Sequence, residues 1–392
     1  MTSGHILRGY DGRLLAAISI GWLSIRLGRE AIPPLLPAII ETVDITASTA
    51  GFGLTVMWFI YSLSQYPGGR LSDGLSRKTV LVGSLGTVLV GFGILAIIST
   101  YAGLLFGFTF VGLGAGLYFA PSRAMLAELF AGRRGQAFGI ISAAGSIGAA
   151  SAAGVAVLSF HLGVWQSAFV PVVLVIACVL WAIHVWQREA YVVEPVSLEI
   201  GPTVRRLVQL SRVRWLLLAY MLVSFSWQGF LGFLPTFLQL EKGFSPVFAS
   251  VAYALVFVIA IVVGPAAGRL ADVASRLLVA MIGLAIAAAG LAGMIIVPKS
   301  VGVVLGVVFV AVGMRTYPPV MQSHLMGLFP DESMAGDFGS IKTVWTGFGS
   351  LAPTYVGLVA ARTTYGLAFG GFIACLLVGI SVLAYLYVTG ND

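Results

Sequence analysis

Arg26, Arg29 and Glu30 lie within one apolar stretch near the start of the chain, at positions i, i+3 and i+4. On a helix that spacing sets all three on one face, where Arg26 and Glu30 can pair across a turn. Arg123, Arg315 and Lys342 interrupt other apolar stretches, with Glu128 and His324 near the ends of two of them. Five cations (Arg26, Arg29, Arg123, Arg315 and Lys342) therefore accompany one deep carboxylate, Glu30. Guanidinium holds a carboxylate or phosphate through two parallel bonds, so this set suits a small organic anion. The competing reading is that these side chains pair with one another or extend their charged ends to an interface. That competitor weighs most for Arg123, close to the end of its stretch, where a gating role also fits.

Glu30 has two readings. Burial would raise its proton affinity and a neighbouring Arg would lower it, so it is either a carrier of a coupling proton or a structural partner of Arg26 or Arg29. Polar and aromatic residues could line a cavity: Trp58, Tyr61 and Gln65 share one helical face, as do Ser224, Trp227 and Gln228, while Tyr317 and Gln322 lie in the tenth span and Trp345 in the eleventh. Trp and Tyr also serve packing and membrane interfaces. Gln65 and Gln228 are the stronger binding candidates, because an amide deep in an apolar span needs a polar partner.

Lipid is the solvent that the composition implies. Of 392 residues, 59% are hydrophobic and 9% are charged, with a mean hydropathy of +1.00. Soluble domains carry about 25% charged residues, so soluble enzymes and secreted disulfide proteins are excluded. Cys178 and Cys375 fall in apolar segments and read as small hydrophobes. The polar, basic start (residues 1–13) leads into an apolar run without a small-residue cleavage pattern, so it reads as a first span. Lysine is scarce against arginine and Asn391 is the only asparagine, a composition of GC-rich prokaryotic genomes, archaeal ones included.

A spanning helix needs about 20 apolar residues. Cutting at charges and turn signals predicts twelve spans: 14–40, 47–69, 79–99, 102–129, 136–159, 164–187, 214–240, 246–268, 277–297, 301–328, 336–360 and 365–388. A polar linker, 188–213, divides an N-terminal half (1–187) from a C-terminal half (214–392). Most of the 22 Lys and Arg fall in loops on the N-terminal side, among them Arg8, Arg13, Arg133, Arg134, Arg205 and Arg206. The opposite side holds Lys242, Lys299 and Arg362. This bias predicts a multi-pass protein of the cell (cytoplasmic) membrane with both termini and the linker in the cytoplasm.

The two halves repeat. Gly69-Arg70-Leu71-Ser72-Asp73 through Arg77 matches Gly268-Arg269-Leu270-Ala271-Asp272 through Arg276 at an offset of about 199 residues. Leu36-Pro37 with Leu234-Pro235, Leu129-Phe130 with Leu328-Phe329, and Phe138-Gly139 with Phe338-Gly339 keep nearly that offset. Six spans per copy give both copies the same orientation, a parallel repeat. Pro33, Pro34, Pro37, Pro121, Pro235, Pro318 and Pro319 fall in spans 1, 4, 7 and 10, where they can bend the helix.

These features resemble the major facilitator superfamily. GGRLSDGLSRK (68–78) looks like its signature loop, with Gly69, Asp73 and the basic pair Arg77 and Lys78. The stretch 112–139 resembles the family's fourth span and its following loop. The resemblance implies an all-α membrane protein of twelve helices in two six-helix halves that rock about a midplane site. It makes Gly69, Asp73, Arg77 and Lys78, with Gly268, Asp272 and Arg276 in the second copy, a latch of the outward-facing state. Two departures matter. Phe108 stands where many members carry an arginine associated with proton coupling, and GSIGAASAAG (145–154) lacks the Gly-Pro motif of antiporters.

No P-loop, HExxH or GxSxG is present, so the reading is a transporter and not an enzyme, without cofactor or metal. It is a monomer by resemblance. The expected cargo is a small organic anion, moved by alternating access with or without protons. The expected substrate residues are Arg26, Arg29, Arg315, Arg123, Tyr61, Gln65, Trp227, Gln228, Gln322, Lys342 and Trp345, with Glu30 as the proton-coupling candidate. The alternative is export of drugs or other amphipathic compounds; a receptor on the same scaffold is a third reading.

Overall fold

A computed structural model describes residues 9–193, 211–328 and 334–389; for Asp73, Ser211 and residues 334–337 it describes the backbone only. Arg8, Arg205 and Arg206, most of the expected linker and Phe329 of the repeat lie outside the described residues. The regular structure of the described residues is all helical, without a strand. Lipid offers no hydrogen bonds, and a helix satisfies its own backbone.

The helices are α1 (Gly9–Val43), α2 (Ala47–Gly74), α3 (Arg77–Leu95), α4 (Tyr101–Leu129), α5 (Arg134–Leu162) and α6 (Val170–Trp186), the last entered through a 3-10 turn (Trp165–Phe169). There follow α7 (Ser211–Thr236), α8 (Pro246–Val273), α9 (Arg276–Ile296), α10 (Ser300–Met326), α11 (Met334–Gly349), α12 (Ala352–Arg362) and α13 (Tyr365–Val388). Hydroxyl side chains fix several starts: Ser76, Thr100, Ser245, Ser275 and Thr364 each accept the backbone N–H three residues on. Gly163, at φ +69°, ends α5 in the left-handed region that favours glycine.

Among the described residues, nine helical stretches are long and apolar enough to cross a membrane. The other three expected spans correspond to α1, which carries Arg26, Arg29 and Glu30, to α2, and to the pair α11–α12. The expected span 336–360 is broken at Ser350–Leu351. Pro353 lacks an N–H and crowds the residues before it, so the helix restarts there. Ser350 N–H still reaches Thr346 O at 3.0 Å, and Leu351 N–H turns tighter to Phe348 O at 3.1 Å. Near the end of the seventh span, Phe237–Glu241 widens into a π turn after Pro235. Pro67 in α2 and Pro265 in α8 are a further proline pair at the repeat offset.

The chain divides into two compact units: Met1–Asp44 with Val56–Leu198, and Ile45–Thr55 with Glu199–Asp392. In the first, α1 packs on α5 and α6, and α3 on α4 and α6. The second repeats this: α7 packs on α11, α12 and α13, and α9 on α10 and α13. The start of α2 groups with the second unit, where Thr354 N–H donates to Thr55 Oγ1 at 3.1 Å. Small residues set the crossings. A Cβ on Gly116 of α4 would stand 2.6 Å from the Tyr61 carbonyl oxygen of α2, so only glycine permits that approach.

Candidate substrate-binding clusters

In the first unit, α1 presents its charged face as the spacing implies. Arg26 Nη1 lies 2.8 Å from Glu30 Oε1, and Arg29 Nη2 lies 3.3 Å from the same oxygen. Arg29 and Glu30 are 2% and 1% exposed, so this is ion pairing away from water. The Arg29 guanidinium sits over two rings of α2, 4.4 Å from Trp58 and 4.5 Å from Tyr61, which meet edge to face. Cation–π contact of this kind strengthens when desolvated. Arg29 Nε and Nη1 are buried and find no hydrogen-bond partner among the described residues. Gln65, one turn beyond Tyr61, is buried with its Nε2 likewise unpartnered.

Arg123 turns back on its own helix. Its Nη1 donates to Phe119 O at 2.9 Å, and its guanidinium lies 3.6 Å from the Phe119 ring and 5.0 Å from Trp22. Arg26 and Tyr61 are close enough to act on it electrostatically, so it borders the Arg29 cluster. Sequence reasoning passed over Trp22, Phe119 and Tyr118. Tyr118 stacks on Trp22 and donates to Ile18 O at 2.8 Å. Nothing in their types marked them, since lone aromatics in apolar spans are ordinary packing.

The second unit holds two neighbouring clusters. Arg315 of α10 lies 4.3 Å from the Trp227 ring of α7 and 5.5 Å from Phe257 of α8. Two turns earlier on α7, Tyr220 stacks on Trp345 of α11 at 4.2 Å and meets Tyr317 of α10 edge to face at 5.3 Å. Gln228 Nε2 donates to Ser224 Oγ at 3.1 Å and to Thr346 O at 3.0 Å, which ties α7 to the last turn of α11. Lys342 is half-buried one turn before Trp345, and Thr346 Oγ1 donates to its carbonyl at 2.8 Å. Gln322 is half-buried farther along α10 and makes no side-chain hydrogen bond to these clusters among the described residues. Tyr220 went unnamed in the sequence, although it precedes Ser224 and Gln228 at i, i+4 and i+8.

The expected latch residues behave differently in the two copies. Arg77, at the start of α3, forms an ion pair with Glu128 at the end of α4. Gly69 lies inside α2, and the side chain of Asp73 is outside what the structure describes. Lys78 Nζ donates to Gln187 O at 2.8 Å and lies 4.8 Å from the Tyr191 ring, while its backbone N–H donates to Glu189 Oε2 at 3.2 Å. In the second copy Gly268 is half-buried in α8, and Asp272 is exposed and makes no ion pair with Arg276 or any other described residue.

A model of the Major Facilitator Superfamily matches residues 18–353. The chain belongs to the major facilitator superfamily. Solved structures of membrane transporters share the fold. A bacterial homologue of the human lysosomal transporter Spinster, inward-facing and unoccupied, matches with a TM-score of 0.78 and 16% identity, over 97% of this chain and 95% of that one. The nucleoside transporter NupG matches with a TM-score of 0.78 and 15% identity, over 95% of this chain and 100% of its own. A POT family transporter in complex with 5-aminolevulinic acid reaches 0.79 at 14% identity, over 97% of each chain. A protein of Cupriavidus pinatubonensis named as a probable 4-methylmuconolactone transporter is 32% identical over 140 residues, which is 35% of this chain and 32% of that protein. The match thus spans about a third of that relative's length. As a member of the superfamily the chain has the multi-pass membrane transporter fold.

Proposed function

We propose that this transporter carries a small organic anion. The observation that carries the reading is Arg29: a buried guanidinium held between α1 and two α2 rings, sharing one oxygen of Glu30 with Arg26 and keeping two nitrogens without a partner. A buried charge is costly unless it is paired and hydrogen-bonded. Glu30 is one negative charge against Arg26 and Arg29, with Arg123 adjoining. A carboxylate on the cargo supplies the missing charge and accepts from the unpartnered nitrogens. The relative named for 4-methylmuconolactone, an oxygenated lactone by its name, agrees with cargo rich in acceptor oxygens.

Twelve spans in two six-helix halves, joined by the linker 188–213, work by alternating access in this reading. The Lys and Arg bias supports the cytoplasmic membrane with both termini inside. Glu30 is the coupling group if protons move with the anion. The protein acts as a monomer.

The test is the thermal midpoint of the purified protein in detergent against benzoate, glucose and tetraphenylphosphonium. A ligand of the folded state raises the midpoint by mass action. Benzoate is expected to raise it, and Arg29→Ala and Arg29→Lys to abolish the rise, because Lys lacks the planar fork. A rise with tetraphenylphosphonium alone would put drug export in first place.

A further inference from the structure

Two buried tyrosine hydroxyls in the second unit have no hydrogen-bond partner among the described residues: Tyr220 of α7, 4% exposed, and Tyr317 of α10, 1% exposed. Their rings touch edge to face, so the two orphans belong to one place in the fold. Several other buried or half-buried hydroxyls of this unit are satisfied locally, Thr236 Oγ1 being an exception. Ser226, Ser250, Thr316 and Thr346 each donate to a carbonyl four residues back on their own helix. A phenol is too long for that return bond and needs an acceptor from elsewhere. Tyr118 finds Ile18 O, and Tyr355 finds Ala368 O at 3.2 Å. Tyr220 and Tyr317 find none.

Buried polar groups without partners are rare and call for an explanation. The surroundings supply a second observation. Trp345, stacked on Tyr220, is followed by Thr346, whose carbonyl is held by Gln228 one turn before the break at Ser350–Leu351. Gln228 Oε1 is itself buried and unpartnered. Broken spanning helices in transporters mark binding sites, because freed polar groups are tolerated there only in the service of a ligand or a cavity.

We propose that Tyr220 and Tyr317 form a hydrogen-bonding subsite within the second unit for an acceptor oxygen of the transported molecule, a carbonyl, lactone or carboxylate oxygen. Two neutral O–H donors satisfy one such oxygen through its two lone pairs. The inference rests on the chain's role as a carrier, and deepens the proposed cargo from an anion to one bearing acceptor oxygens that this pair reads.

The experiment measures midpoint shifts of the full-length protein in detergent with coumarin, a neutral lactone, and with benzoate. It compares wild type with Tyr220→Phe/Tyr317→Phe, and uses Tyr355→Phe as the control for a hydroxyl that has its own acceptor. The double variant keeps both rings. It is expected to fold with an unchanged or higher midpoint, because it removes orphaned hydroxyls, and to bind the probe about tenfold more weakly or worse. Loss confined to coumarin identifies a carbonyl or lactone oxygen, and loss confined to benzoate a carboxylate oxygen; both support the subsite. Wild-type affinity for both probes in the double variant, or a wild type that responds to neither, overturns it. A benzoate response that survives Arg29→Ala but falls in the double variant defeats the Arg29 reading and leaves this subsite standing.

Discussion

Arg26 and Arg29 converge on one oxygen of Glu30, at 2.8 and 3.3 Å. Removing the carboxylate therefore strips the counter-charge from both. Breaking a buried pair by deleting one partner costs about 3–5 kcal/mol, and Arg26, partly exposed, can recover part of this from water. Glu30→Gln is expected to lower the midpoint of the ligand-free protein and to enlarge the shift produced by benzoate, which then carries the missing charge. Calorimetry with and without benzoate checks both directions. Uptake measured across pH on the same variant decides the coupling role: unchanged pH dependence removes Glu30 from it.

Lys78 fastens the beginning of the segment that follows α6. Its ammonium donates to Gln187 O, its N–H to Glu189, and Thr79 Oγ1 accepts from Val192 N–H at 3.1 Å. Tyr10 joins from α1, 4.6 Å from the Arg188 guanidinium. Lys78→Met keeps the aliphatic stem and removes the donor, at a cost of about 1.5–3 kcal/mol for a charged hydrogen bond. Faster amide exchange is expected at residues 187–192, with α3 protected as before. Equal exchange in the variant would deny Lys78 this fastening role.

The fold was legible because its causes are local. Apolar length sets the spans, Arg and Lys placement sets their punctuation, and the Gly-x-x-x-Asp loops repeat at one offset. The face shared by Arg26, Arg29 and Glu30 followed from helical spacing alone. What α2 brings to it did not. Trp58 and Tyr61 lie over Arg29, a contact between α1 and α2 that neither helix's spacing reveals, although Gly112 and Gly116 at i and i+4 mark where α4 takes α2 close. The break at Ser350 was hidden for another reason: the apolar run continues through it, and only Pro353 hinted at a stop. Tyr220 was missed because its function, if read from spacing, cannot be told from packing until its hydroxyl is seen without an acceptor.

Gly349 closes the end of α11 against α7. A Cβ there would collide with Gln228 Nε2, which holds this turn through Thr346 O, and with Ser224 Oγ, which accepts from the same Nε2. Overpacking typically costs about 1–3 kcal/mol, so Gly349→Ala is expected to lower the midpoint by that order and to weaken binding at the neighbouring tyrosines. Gln228→Ala in the same background should relieve the part of the clash that Gln228 makes, while Ser224 Oγ, the nearer atom, remains. A double-mutant cycle on the midpoint measures the coupling, and additive effects would show that the two residues do not meet.

Arg77 and Arg276 occupy equivalent positions of the repeated loop motif, in which Asp272 precedes Arg276, yet of the two only Arg77 forms an ion pair among the described residues. Arg77 pairs with Glu128, which is 59% exposed, so the pair contributes little to stability, under about 1 kcal/mol. Its effect is expected in rates. An ion pair made in only one state of a two-state carrier shifts the populations of those states by its own differential energy. Arg77→Ala should leave the midpoint within about 1 kcal/mol of wild type and change the rate of benzoate counterflow without a comparable change in its half-saturating concentration. Asp272→Asn, at an exposed residue without an ion pair among the described residues, should change neither. Counterflow in proteoliposomes separates the two variants, and equal effects from both would mean that the copies act alike despite their different contacts.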